Sequence, residues 1–326
     1  MTPPFLDLVD LASERLGASV VTANDEFFAP KENHIRADVP RWSEGEYTER
    51  GKWMDGWETR RRREPGDDWC IVRLGAAGIV RGVDVETTHF KGNYPEACAI
   101  DACDVPGVPA LEDLLGVSWF ELLGRSPLAG DAHNLFPIIR ESKASHVRLR
   151  IFPDGGVARL RIHGQVAPDW TRLRQRGDID LAALDHGGVV VGYSDMFFGS
   201  RHNLILPGEP RNMGDGWETK RRRGTGHDWI VIRMGAPGTI RRVEVDTRYF
   251  KGNAPGSCSL EGTTTDAAVP PDGIEWRELQ PRTTLSPDAR HMFEDEVRPI
   301  GDITHVRLNI YPDGGVARLR LFGRLK

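Results

Sequence analysis

The sequence predicts an all-β protein made of two tandem copies of one β-sandwich or jelly-roll domain. Three observations predict it. Long segments recur in the same order in both halves, apolar residues alternate with period two over short runs, and Gly, Pro and Asp-Gly signals separate those runs. The chain has 326 residues, the length of about two domains. Each half is long enough to bury a core of its own.

The two halves match segment by segment. Asp10-Leu-Ala-Ser13 matches Asp180-Leu-Ala-Ala183, Val20-Val21 matches Val190-Val191, and Asp25, Phe27 and Phe28 match Asp195, Phe197 and Phe198, all 170 positions apart. Asp55-Gly-Trp-Glu-Thr59 then recurs as Asp215-Gly-Trp-Glu-Thr219, now 160 apart, so the first copy carries an insertion between Ile35 and Asp55. Phe90-Lys-Gly-Asn93 recurs as Phe250-Lys-Gly-Asn253. Pro153-Asp-Gly-Gly-Val-Ala-Arg-Leu-Arg161 recurs unchanged from Pro312. The copies are read as 6–166 and 177–326, with a linker at 167–176 marked by its proline and its charges. Trp170 is expected to anchor that linker on one domain.

Within a copy, residues 69–74 and 229–234 are short apolar runs rich in β-branched side chains. Residues 79–85, 240–245, 146–152, 305–311, 157–162 and 316–321 alternate apolar with polar. Period two implies half-buried strands, with Val147, Leu149 and Ile151 facing inward. Pro153-Asp-Gly-Gly156 lies between two such runs and reads as a hairpin turn. Asp154 and Asp313 are expected to close their turns by bonding their own backbone. Gly75, Gly78, Gly92 and Pro95 are expected to punctuate the strands. The helical candidates are short, at 5–16 and 110–115. Trp57 and Trp217 are expected in the core.

Composition narrows the function. The net charge of −5 and a pI of about 6.1 argue against a dedicated nucleic-acid binder. The first residues carry no basic, then apolar, leader pattern, and no apolar run approaches the roughly 20 residues a membrane helix needs. The four cysteines, Cys70, Cys98, Cys103 and Cys258, form no Cys-x-x-Cys pair and read as reduced thiols in a cytoplasm. Phosphate-loop, Gly-x-Ser-x-Gly and His-Glu-x-x-His signatures are absent.

Two features carry candidate chemistry. In Trp57-Glu-Thr-Arg-Arg-Arg-Arg63, an extended strand would put Glu58, Arg60 and Arg62 on one face and Thr59, Arg61 and Arg63 on the other. Guanidinium forks suit a carboxylate or a ureido oxygen, and a neighbouring glutamate suits acid or base work. The plain alternative is a solvated face paired with Glu64, Asp67 and Asp68. His89-Phe-Lys-Gly-Asn-Tyr-Pro-Glu96 leaves a strand for a loop, and His89, Tyr94 and Glu96 have no counterpart in the second copy. His89 reads either as a site residue or as an ordinary loop histidine. His146 and His305 are expected to lead a strand and cap its edge. His133 and His291 occupy loosely similar places, as packing or site residues.

Together, Asp-Gly-Trp-Glu-Thr followed by a basic run, Phe-Lys-Gly-Asn-x-Pro, and Pro-Asp-Gly-Gly-Val-Ala-Arg, each present twice, resemble the allantoicase family. The resemblance covers residues 7–325. It implies two galactose-binding-like sandwiches and hydrolysis of allantoate to ureidoglycolate and urea. Some members of that family are metal-assisted or oligomeric, which leaves a divalent metal such as Mn²⁺ and a homo-oligomer as open expectations. The substrate's carboxylate and two ureido groups call for cations, amide partners and an acid. Arg61 or Arg62 is assigned to the carboxylate, Lys91 and Asn93 to the ureido groups, and Glu58 or His89 to proton transfer. Glu218, Lys251 and Asn253 are the second copy's equivalents. Two other classes stay in view: a non-catalytic binding module, and a nucleic-acid binder using the arginines.

Overall fold

The computed structural model describes residues 3–326 and divides into two compact units between Ala167 and Pro168. Each unit is an antiparallel β-sandwich of the same connectivity. In the first, strands run in the order Val9–Asp10, Arg159–Val166, Asp68–Glu86, Lys143–Phe152, Ala97–Cys103, Phe120–Pro127. Ser19–Ala23 and His133–Pro137 also pair with Asp68–Glu86.

The alternating runs become strands because their apolar faces meet. Val147, Leu149 and Ile151 are fully buried, as are Val83, Val85, Leu160 and Ile162. Trp57 and Trp217 are fully buried as well.

One expectation is corrected at Gly75 and Gly78. They do not divide two strands. The chain runs through them as one 19-residue strand, Asp68–Glu86, and its partners change there. The first part pairs with Lys143–Phe152, and the last part with Arg159–Val166 and His133–Pro137. Strands that pass between layers in this way bend at small residues. At Gly75 a Cβ would lie 2.6 Å from the Leu16 carbonyl oxygen, so only glycine lets the two backbones meet.

Residues 5–16 are not one helix. They form a 3₁₀ turn at Pro4–Asp7, an edge strand at Val9–Asp10, and a second 3₁₀ turn at Glu14–Leu16 capped by Ser13. The Val9–Asp10 backbone finds partners on Arg159–Val166, and that pairing overrides local helix preference. The other candidate does form a helix, Leu111–Gly116. His146 and His305 are not at an edge: each is 1 % exposed within a central strand, between two paired neighbours. His133 and His291 are not equivalents. His133 lies opposite Glu86, while Arg290 lies opposite Asp246, the residue that matches Glu86. Residues 168–176 include a short helix, Trp170–Arg174, capped by Asp169, and the Trp170 ring lies beside Gly235 of the second unit.

All four cysteines are free and buried. Burial pushes the Cys98 and Cys258 thiols up to about 12.

Candidate functional site

The site of the first repeat is built around a two-stranded ribbon. Trp57–Glu58 pairs with Gly156–Val157, and Ala29 bridges to Glu58 on the other side. The Trp57 indole N–H donates to the Asp25 carbonyl at 2.8 Å, which fixes the ribbon's start. Glu58 follows, 9 % exposed, and its Oε1 accepts from the Asn93 amide at 2.7 Å. Burial raises the Glu58 pKa, and the Asn93 bond offsets part of that rise.

Asn93 is held from below by the Pro-Asp-Gly-Gly turn. Its carbonyl accepts from the Gly156 N–H at 2.8 Å. Gly155 has φ +137°, and a Cβ there would lie 2.8 Å from the same carbonyl oxygen. The turn aspartates do not bond their own backbone as expected. Asp154 accepts from the Arg62 N–H at 2.8 Å and Asp313 from the Arg222 N–H at 2.7 Å, while Thr59 and Gly155 exchange backbone and hydroxyl bonds. The aspartate thus ties its turn to the arginine segment.

That segment pairs with no strand beyond Glu58, but Arg60 and Arg62 still differ from Arg61 and Arg63 in what they meet. The chain bends only at residues 63–65. Arg60 is held by Asp25 at 2.7 Å and Arg62 by Asp68 at 2.6 Å. Arg61 and Arg63 are exposed and form no ion pair among the described residues. Lys91 stands 3.8 Å from Asp131 and is largely exposed. His89 adopts φ +71°, its N–H donating to the Asp131 carboxylate. Its Nε2 lies 3.3 Å from the Pro40 carbonyl and its ring 5.5 Å from that of Trp42.

Glu58 and Asn93 stand where two cavities meet. One, of about 450 Å³, is walled by Trp42, Lys52, Met54 and His89. The other, of about 780 Å³, is walled by Arg61, Arg63, Tyr94 and Glu96. Trp42, Lys52 and Met54 are absent from the sequence expectations.

The second repeat preserves the frame and loses a wall. Asn253 donates to Glu218 at 2.6 Å, Arg222 pairs with Asp228, and Lys251 stands 3.8 Å from Asp288. The Arg41 and Arg211 N–H groups both donate at 2.9 Å to the aspartate that opens the motif, Asp55 and Asp215. The insertion therefore lies within residues 42–54, thirteen residues that face only 212–214 in the second repeat. There Met213 Sδ sits 3.4 Å from the Asn253 amide, and Tyr249 replaces His89.

The family model described as "Allantoicase repeat" matches residues 9–167 and again 179–326. The chain belongs to the allantoicase family. A probable allantoicase of Photobacterium profundum is 46% identical over 98% of this chain and 97% of its own length. One from Nocardia farcinica is 50% identical over 98% of this chain and 95% of its own. The crystal structure of the Saccharomyces cerevisiae allantoicase superposes with a TM-score of 0.81 at 36% identity, covering 97% of this chain and 92% of that one. The two β-sandwich repeats described above are thus the allantoicase architecture. No helix among the described residues is long and apolar enough to cross a membrane.

Proposed function

We propose that this chain hydrolyses allantoate to ureidoglycolate and urea, in the breakdown of purines through allantoin, and that the first repeat carries the reaction. The observation that supports the reading is the buried Glu58 carboxyl, bonded to Asn93 at the junction of two cavities. Allantoate holds a carboxylate and two ureido groups on one carbon. Hydrolysis breaks the bond from that carbon to one ureido nitrogen. The leaving nitrogen needs a proton, and the carbon needs an oxygen from water.

Glu58 gives its proton to the departing nitrogen, which leaves as urea. The carboxylate then takes a proton from water as the water oxygen bonds to the central carbon. One water is consumed and Glu58 returns to its starting state. The raised pKa of Glu58 favours the acid form that the first step needs. Asn93 spends one side-chain N–H on Glu58 and keeps its side-chain Oδ1 for the departing ureido group. Arg61, free of carboxylates, suits the retained ureido oxygen, whereas Arg62 is occupied by Asp68. His89 is turned to Pro40 and serves as a wall rather than a proton carrier. Lys91 stands at the rim. Glu218, Asn253 and Lys251 keep the frame without its wall, and we assign the second repeat no turnover.

The donors around Glu58 do not suit a divalent metal such as Mn²⁺. Among the described residues no three His, Cys, Asp or Glu groups converge in a way that could hold an ion. The four unpaired cysteines support a reducing compartment, the cytoplasm.

The test is urea release from allantoate by the purified chain, after chelation, with and without added Mn²⁺. The expected result is release at an enzymatic rate in both arms. No release in either arm leaves a duplicated, non-catalytic binding module as the better account.

A further inference from the structure

The insertion of residues 42–54 brings to the first cavity a cation that has no carboxylate partner among the described residues. Its ends are fixed. The Arg41 N–H donates to Asp55, and Asp55 is itself held by Arg159, a buried ion pair at 2.8 Å. Between them Tyr47–Thr48 pairs with Gly51–Lys52 as a hairpin, and the Trp53 N–H donates to the Glu46 carbonyl at 3.0 Å. The hairpin lies on the two phenylalanines that precede the ribbon. Arg50 donates to the Phe27 carbonyl at 3.1 Å, and Gly51 faces the Phe28 ring. Lys52 is thereby placed with its ammonium 4.0 Å from the centre of the Trp42 ring. Trp42 is in turn backed by His89.

An aromatic face holds an ammonium in place without neutralising it. Lys52 has no carboxylate partner among the described residues, and it lines the same cavity as Glu58 and Asn93. The other cations differ from it in pairing or in place. Arg60 and Arg62 are paired, Lys91 lines the same cavity but stands 3.8 Å from Asp131, and Arg61 and Arg63 line the second cavity. A ligand whose ureido group reaches Asn93 therefore meets one unpaired positive charge on the insertion side.

We propose that Lys52, held on the Trp42 ring, binds the carboxylate of the substrate, and that the insertion thereby confines carboxylate recognition to the first repeat. This rests on the function proposed above, but its test is a binding measurement that does not need turnover. Hydantoate carries one carboxylate and one ureido group and has no second ureido group to lose. Its amide lacks the charge. Calorimetric titration of the full chain with both compounds reads the carboxylate contact alone.

In Lys52→Met the dissociation constant for hydantoate is expected to rise about 10- to 100-fold, the range for losing a hydrogen bond to a charged group. Binding of the amide should change less than about twofold, and Lys52→Arg should restore most of the affinity for the acid. With allantoate, KM should rise by a similar factor while kcat changes less than about threefold. Equal affinity of the unaltered chain for acid and amide, or unchanged hydantoate binding by Lys52→Met, overturns the assignment. Absence of urea release from the unaltered chain removes the proposed function instead, and leaves a Lys52-dependent carboxylate site standing.

Discussion

Glu58 and Asn93 share one hydrogen bond, and that bond sets two expectations. Glu58→Gln keeps the size and the contact to Asn93 but cannot carry the proton; urea release should fall about 100- to 10,000-fold, the span of general acid–base catalysis. The pH dependence has a definite sign. Burial holds the Glu58 pKa above its ordinary value, so kcat/KM should decline as pH rises through that raised value. Asn93→Ala removes the bond that favours the carboxylate. Glu58 then stays protonated to higher pH, and the alkaline limb of the profile should move up, at a lower maximum rate. A limb that stays in place would take Glu58 out of the acid role. These two residues were legible in the sequence because each belongs to a motif written twice. The fate of the neighbouring arginines was not. Arg62 is consumed by Asp68 across a turn, and its N–H by Asp154 from a hairpin 92 positions away. Alternation separates Arg60 and Arg62 from Arg61 and Arg63, but the partners that consume them lie outside the run.

Elements of regular strand were the easiest to read, since burial of one face imposes period two. Two failures came from context. The glycines at 75 and 78 mark a change of partners within one strand, not its end, because close backbone approach also selects glycine. The segment at 5–16 is drawn into edge pairing by a strand far along the chain. The insertion was detectable only as the drop in repeat spacing, and the side chains it adds have no second copy against which to be noticed. Its role yields an expectation at this scale. Replacing residues 42–54 by Asn-Met-Gly, the segment of the second repeat, should reduce urea release at least about 100-fold, as misplacement in a binding site does. Thermal unfolding should shift little, because both backbones meet the same aspartate contact. Activity retained within a few-fold after that exchange would place the reaction away from this wall.

At the scale of the whole molecule, the duplication supplies its own comparison. Two sandwiches of one topology hold the same glutamate–asparagine pair, yet only one has the hairpin beside it. Glu218→Gln should therefore leave urea release within about twofold of the unaltered chain, against the large loss at Glu58. Losses of similar size at both positions would mean that both repeats turn substrate over. The overall plan was legible because a repeated sequence must fold the same way twice; which repeat works was not, since the motifs are common to both. The four buried cysteines have a practical consequence. No native thiol is both exposed and acidic enough to react readily with an alkylating probe, so a single cysteine introduced at the exposed Glu49, in the turn of the insertion hairpin, would be the one labelling position of the folded chain. A fluorophore attached there would report whether the hairpin moves when ligand enters the cavity beneath it.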